Sequence, residues 1–313
     1  MKRLKDVGEF GLIELISGWI GDVQPRQVVL GPGDDAAVLR PPAGQDLVVS
    51  TDSLVENVHF RWSTQAARTV GRRALVANLS DLAAMGAKPL GCVAAVCAPP
   101  DLELRVAKGL VLGILAEAET YGCPLVGGNL ASSRETTITI TVFGTVARGR
   151  DLRRHRVRAG DAIFVTGTLG GAALAVQRAE QGGSGIRAVA VPRLVAGRAL
   201  GAMSRVGGCI DVSDGLVADL GHLLEGSGLG AEIEAASVPT PRGFARACGQ
   251  LGVDADELAV AGGEDYELLF TLRPRAPRRN LTSRLGVSVS EVGRITREPG
   301  IRGASPGSGW RHF

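Results

Sequence analysis

The chain has 313 residues, 45% hydrophobic and 21% charged, with a formal net charge of +3 and only 4% aromatic residues. These proportions exclude a mostly disordered or fibrous chain, and the length exceeds what one core comfortably holds, so two domains are expected. Scarce aromatics and a near-balanced charge also supply a stacking platform for single-stranded nucleic acid poorly.

In chain order, Val28–Leu30, Ala36–Leu39 and Leu47–Thr51 read as short strands separated by the GPGDD and PPAG turns. Ser63 or Thr64 is placed to cap a helix running towards Gly86, with Ala67, Val70, Ala74, Ala77 and Leu82 at helical spacing. A second helix is expected over Leu102–Tyr121, ending at Gly122-Cys123-Pro124. Thr136–Val146 alternates Thr and Ile with period two, the pattern of a strand buried on one face. The texture then changes to ARGRDLRRHRVRAGD, and the domain boundary is placed near residue 148, giving domains 1–148 and 149–313.

The second half resumes with a strand, Ala162–Thr166, and a helix from Ala172 to about Glu180, followed by the loop QGGSG. Cys209–Val212 reads as a strand leading through SDG into a helix, Leu216–Leu224, and Tyr266–Thr271 as a strand after GGED. Residues 296–309, TREPGIRGASPGSG, read as irregular surface chain. The longest apolar run, LGCVAAVCA, falls far short of the roughly 20 residues a membrane-spanning helix needs. The charged start MKRLKDVGEFG has no apolar segment after it, so no secretory signal is expected. Cys92, Cys97, Cys123, Cys209 and Cys248 show no CxxC spacing and are expected as buried free thiols of a cytoplasmic protein.

The informative feature is where the carboxylates fall. Asp34 and Asp35 follow a strand in GPGDDAAVL, Asp52 ends LVVSTD, and Asp81 lies in ANLSDLAAMGA. Asp211 and Asp214 lie in CIDVSDGL, and Glu264 and Asp265 in AGGEDYELLF. Nearly all sit at expected strand ends or glycine turns among apolar residues, whereas solvated charges favour helix faces. Converging carboxylates repel one another and need counter-cations to stay ionised. Hard divalent ions with oxygen ligands fit, and Mg²⁺ typically bridges a few carboxylates to substrate phosphates. Taken singly, each Asp also fits a turn residue or a helix N-cap, Asp214 in SDG most clearly. A P-loop and GxGxxG are both absent. VGGN at 126–129 and TGTLGG at 166–171 are weak candidates for anion-holding turns, and tight structural turns explain them as well.

Taken together, GEFGLIELI, GPGDDAAVL, VVSTDSLVENVHF, ANLSDLAAMGAKP, GGN, VTGTLG, IDVSDGL, GGEDYELLF and the terminal GWRHF resemble the thiamine-monophosphate kinase family, in family order over essentially the whole chain. The wider superfamily includes aminoimidazole ribonucleotide synthetase, selenophosphate synthetase and the hydrogenase-maturation dehydratase, ATP users without a P-loop. The resemblance implies a two-domain α/β (α+β) fold of the aminoimidazole ribonucleotide synthetase-like kind. In it, the N-terminal sheets of two subunits pair into a barrel, and a C-terminal α/β domain completes the active site of a cytoplasmic homodimer. Carried over residue by residue, the metal ligands fall on Asp35, Ser50, Thr51, Asp52, Asp81, Asp211 and Asp214, with Asp35, Asp52, Asp81 and Asp211 as the catalytic set. Gly128 and Ser213 would touch the nucleotide, and Arg154 would pair with its phosphates. His59 and Glu264 would line the thiamine-phosphate pocket, and Trp310 would stack on the substrate. Bland alternatives stay open: a core histidine for His59, a solvated arginine run for Arg154, a tail anchor for Trp310.

Two departures stand out. Asn129 occupies a position where many family members carry Asp, so a metal ligand there becomes a neutral carbonyl oxygen. The family's RPxPR-like segment reads VAVPR here, keeping only Pro192 and Arg193. The implied reaction is ATP plus thiamine monophosphate giving ADP and thiamine diphosphate, by direct in-line transfer with several Mg²⁺ ions; the need for K⁺ stays open. The acceptor is itself an anionic phosphate, so no strong general base is required. A sister ATP-dependent enzyme such as aminoimidazole ribonucleotide synthetase is the nearest alternative. From another class, the arginine excess (Lys2, Lys5, Lys88 and Lys108 are the only lysines) raises a non-catalytic polyanion-binding protein, against which the balanced charge stands.

Overall fold

The structure, a computed structural model, describes residues 2–21, 25–32, 35–183, 185–276 and 278–303. Asp34 and Trp310 lie outside the described residues. The chain forms two compact units, one of Met1–Leu82, Lys88–Arg148 and Ser184–Val189, the other of Ala83–Ala87, Gly149–Gly183 and Ala190–Phe313.

The first unit runs α1 (Gly8–Ile20), β1 (Val28–Leu30), β2 (Val38–Leu39), β3 (Gln45–Val55), α2 (Ala67–Ala84, whose last two residues count with the second unit), β4 (Lys88–Ala98), α3 (Leu104–Tyr121), β5 (Leu125–Ser132) and β6 (Thr137–Ala147). Its four-stranded sheet has the order β3-β6-β4-β5, antiparallel except for the parallel β4–β5 pair. The Thr/Ile alternation does what its period requires: Ile138, Ile140 and Val142 are fully buried, while Thr137, Thr139 and Thr141 stay half-buried on the other face. β3 is longer than the sequence suggests, because its ladder with β6 continues from Gln45–Ala147 to Val55–Thr137. The strand expected over Ala36–Leu39 shortens to Val38–Leu39, which pairs with β1. α2 covers the Ile face, where Leu82 sits against Gly144 of β6.

The second unit adds β7 (Ala162–Thr166), α4 (Gly171–Glu180), α5 (Leu194–Ala202), β8 (Val206–Asp211), α6 (Leu216–Leu224), β9 (Gly230–Ile233), α7 (Phe244–Leu251), α8 (Ala255–Ala261), β10 (Leu268–Leu272), α9 (Leu281–Leu285), β11 (Val289–Thr296) and β12 (Gly300–Arg302). Its six-stranded sheet has the order β12-β9-β11-β7-β10-β8, antiparallel except for β12 beside β9. The chain expected to be irregular from 296 therefore contains a short strand at 300–302. β10 starts two residues later than Tyr266, because Tyr266 has a left-handed backbone at φ 52 and cannot continue a ladder. The core joins Ile163, Val165, Ile210, Leu216, Leu220, Leu223, Leu269 and Val292, drawn from the sheet and α6. All five cysteines are free, with Cys97 half-buried and the rest buried. No helix among the described residues is long and apolar enough to cross a membrane.

Candidate functional site

In the first unit the register of β3 sorts the candidate ligands by face. Ser50 lies opposite Val142 and Asp52 opposite Ile140, on the face that α2 covers. Asp52, expected at a strand end, lies inside β3, and Asp81 lies on α2, within the helix expected towards Gly86. The two elements meet where the Ser50 hydroxyl donates to Asp81 Oδ2 at 2.5 Å. Thr51 points to the opposite face: its Oγ1 donates to the Ile140 carbonyl at 3.1 Å and accepts from Thr141 Oγ1 at 3.0 Å. That hydroxyl is engaged within the sheet, on the far side from Ser50 and Asp52.

A second grouping lines a cavity of about 1300 Å³ in the same unit, where Asp35, Gly128 and Asn129 meet residues of α1, β4 and β6. VGGN is not a turn before a helix. It lies within β5, where Gly128 pairs with Ala94, and a Cβ on Gly128 would meet the Ala94 carbonyl oxygen at 2.1 Å. His59 follows β3 in a turn in which its Nδ1 accepts the Val55 N–H at 3.0 Å, so a neutral ring carries its proton on Nε2. Its carbonyl accepts from buried Arg73 at 3.2 Å. His59 is therefore half-buried and oriented, not an unanchored surface group.

The second unit holds Asp211, Ser213, Asp214 and Glu264 on two segments zipped together. Val212 N–H donates to the Glu267 carbonyl at 2.7 Å, Tyr266 N–H to the Val212 carbonyl at 2.8 Å, and Glu264 N–H to the Ser213 carbonyl at 2.7 Å. Asp211 ends β8 and is buried; Ser213, Asp214 and Glu264 are half-buried. Asp214 does not cap α6 as SDG suggests. The cap comes from Asp219, whose Oδ2 accepts the amides of Ser213, Asp214 and Gly215 at 3.0, 3.0 and 3.1 Å. Burial pushes Asp219 up to about 7, with Asp211 and Asp214 adding to the rise and the amides opposing it. Asp214, Asp219 and His222 bring ligand atoms within 4.8 Å of one another. Sequence reasoning passed over Asp219 and His222; their spacing three apart on one helix, just after SDG, was the available signal.

TGTLGG proves to be a structural turn with its anion supplied from within the chain. Asp265 accepts the Gly170 amide at 2.6 Å and the Ala172 amide at 3.1 Å, at the start of α4. Burial raises Asp265 to about 6, those amides hold it down, and Glu267 adds a further upward push. Arg154 is exposed in a short 3₁₀ turn, while its neighbours Arg153 and Arg156 pair with Asp151.

The two-part chain, with an acidic set in each part, matches a known pattern. The family model described as AIR synthase related protein, N-terminal domain matches residues 33–146, and the corresponding C-terminal domain matches residues 158–304. The thiamine-monophosphate kinase of Synechococcus elongatus is 36% identical over 320 residues, covering 96% of this chain and 92% of that protein. That of Mycobacterium tuberculosis is 37% identical over 276 residues, covering 85% and 81%. A solved thiamine-monophosphate kinase from Stenotrophomonas maltophilia superposes with a TM-score of 0.80 at 34% identity, covering 93% of this chain and 94% of its own. A solved structure of AaThiL complexed with AMPPCP and TMP superposes with a TM-score of 0.77 at 28% identity, covering 100% and 99%. The chain belongs to the thiamine-monophosphate kinase family of AIR synthase related proteins.

Proposed function

We propose that this protein transfers the γ-phosphoryl group of ATP to thiamine monophosphate, releasing ADP and thiamine diphosphate. The observation that carries the reading is full-length similarity to AaThiL, a relative solved with AMPPCP and TMP together. The ligand sets described above fit a hard cation, since Ser50, Asp52, Asp81, Asp35, Asn129, Asp211 and Asp214 offer oxygen donors only. Bound Mg²⁺ would neutralise the phosphates and stabilise charge on the transferring group. Thr51 joins this set through its carbonyl oxygen, given where its hydroxyl is engaged. Asn129 supplies a neutral oxygen where many relatives have a charged one.

Gly128 and Ser213 contact the nucleotide, and exposed Arg154 pairs with its phosphates. His59, with Nδ1 already accepting from Val55, presents an N–H donor suited to the substrate phosphate. Glu264 and Trp310 complete the thiamine-phosphate pocket. The acceptor phosphate is anionic near neutral pH, so orientation and charge compensation carry the reaction without a protein base. Residues 1–148 act as the ATP, Mg²⁺ and dimerisation domain and residues 149–313 complete the site, in a cytoplasmic homodimer whose N-terminal sheets pair into a barrel. The partly uncovered Thr face of the first unit's sheet supports that pairing.

Incubation with Mg-ATP and thiamine monophosphate, with thiamine diphosphate read by chromatography, tests the reaction; K⁺ is varied in the same assay. Turnover should fall by orders of magnitude in Asp52→Asn. Formation of aminoimidazole ribonucleotide from formylglycinamidine ribonucleotide, with no thiamine diphosphate, would replace this reading with the sister reaction.

A further inference from the structure

The GGEDYE segment is held in a conformation it would not adopt alone. Glu264 and Tyr266 both have left-handed backbones, at φ 64 and φ 52. For residues other than glycine this conformation is strained and persists only where the surroundings over-determine it. Between and beside these residues, two carboxylates fix the segment. Asp265 is tied to the start of α4. Glu267 is buried, and it needs a counter-charge.

That counter-charge is Arg193, one of the two residues kept from the family's RPxPR-like segment. Its Nε donates to Glu267 Oε2 at 2.6 Å and its Nη2 to Oε1 at 2.5 Å, two parallel bonds between planar groups. Thr166 Oγ1 also donates to Glu267 Oε2 at 2.6 Å, and the Leu268 amide donates back to Thr166 Oγ1 at 2.8 Å. There is no slack behind the carboxylate: Gly167 has φ 58, and a Cβ there would lie 1.8 Å from Glu267 Oε1. The main chain of the clamped residue then carries the consequence forward. The Glu267 carbonyl accepts the Val212 amide, between Asp211 and Ser213, and the Tyr266 amide returns the bond.

We propose that Arg193 is a positioning residue, whose two-point grip on Glu267 holds residues 264–267 in register against residues 211–214 and so keeps Asp211, Asp214 and Glu264 in their working arrangement. Arg193 touches none of those three side chains in the hydrogen bonds described; it acts through the Glu267 side chain and then its backbone. Lysine cannot replace it fully, because a single ammonium does not match both carboxylate oxygens. The inference rests on the metal role proposed above for Asp211 and Asp214.

The experiment compares full-length parent, Arg193→Met and Arg193→Lys by two readouts. Mn²⁺ alone is titrated by electron paramagnetic resonance, and kcat and KM for thiamine monophosphate are measured separately. Outer partners of metal sites typically contribute about 10–100-fold in affinity or activity. Arg193→Met should therefore weaken Mn²⁺ binding at least about tenfold and lower kcat by a similar factor, with KM changed less than about threefold and the far-UV circular dichroism spectrum intact. Arg193→Lys should fall between the two. Folded Arg193→Met with parental Mn²⁺ affinity and kcat overturns the proposal, whatever its melting temperature. If Arg193→Met does not fold, Arg193→Lys decides: Mn²⁺ binding weakened at least about threefold supports the proposal, and parental binding overturns it. A parent without thiamine-monophosphate kinase turnover sinks the functional reading alone, because the Mn²⁺ titration still decides on Arg193.

Discussion

Asp265 accepts two amides at the start of α4, and burial nevertheless raises it to about 6. In an unfolded chain an aspartate titrates near 3.9, so the folded protein holds this proton more tightly. The stability it contributes is fully present below about pH 4 and is lost as the pH rises through about 6. Asp265 is half-buried, and solvent screening reduces the effect to about 1 kcal/mol. Urea midpoints for parent and Asp265→Asn between pH 4.5 and 7.5 should thus diverge, the parent losing about 1 kcal/mol relative to the variant. Parallel curves would assign the proton elsewhere. At this scale the sequence exposes residue types and hides their faces. Asp34, Asp35 and Asp211 could be singled out by flanking strand and glycine signals. That Ser50 and Thr51 part company follows from the period of two in any strand; which of them shares the face that α2 covers is fixed by the ladder with β6. The capping role of Asp219 is hidden because its partners are main-chain amides of the preceding loop; only its spacing from His222 shows in the sequence.

Helix α6 carries that hidden residue. Its N-terminal loop, residues 213–215, is held by one Asp219 oxygen rather than by a preceding Ser or Asp. Asp219→Ala leaves three amides without their acceptor, and a buried donor left unpaired costs about 1–3 kcal/mol. Water can reach the half-buried Ser213 and Asp214, so a total near 2–4 kcal/mol is expected, read as a loss in thermal or urea stability. Because Asp219 is pushed up to about 7, it is partly neutral near physiological pH, and Asn keeps an acceptor oxygen at the same place. Asp219→Asn should therefore retain most of the stability that Ala loses; equal losses would show that charge, not the cap, matters. The limits of α6 and β7 are those the sequence suggests, since apolar runs flanked by SDG, glycine pairs or an arginine-rich stretch leave one reading. α1, α5 and β9 are not legible in that way. α1 buries only Leu12 along its length, so its hydrophobic pattern has no face to report. β9 is four residues of GAEI, and it exists because β11 and β12 flank it.

For the molecule as a whole, composition places a division near residue 148, whereas it holds no signal for the return of residues 184–189 to the first unit. That return depends on contacts remote in sequence, such as the Ile186 amide on the Thr64 carbonyl at 2.9 Å. The proposed barrel makes a demand on the same unit. On the face of its sheet opposite α2, Leu47 and Val49 of β3 are 53% and 54% exposed, beside Thr145 and half-buried Phe143 of β6. Two adjacent branched apolar residues on a long edge strand are what a monomer would avoid and a partner sheet would cover. Val49→Asp puts a carboxylate into that contact, and an unpaired buried charge costs about 3–5 kcal/mol. Two-fold symmetry presents the change twice, so the dimer dissociation constant should rise by roughly a thousandfold or more. Analytical ultracentrifugation should find a dimeric parent and a monomeric variant. Val49 buries little within its own chain, so the monomer should keep a native circular dichroism spectrum while losing turnover. A Val49→Asp chain that stays dimeric and active would place the partner on another surface.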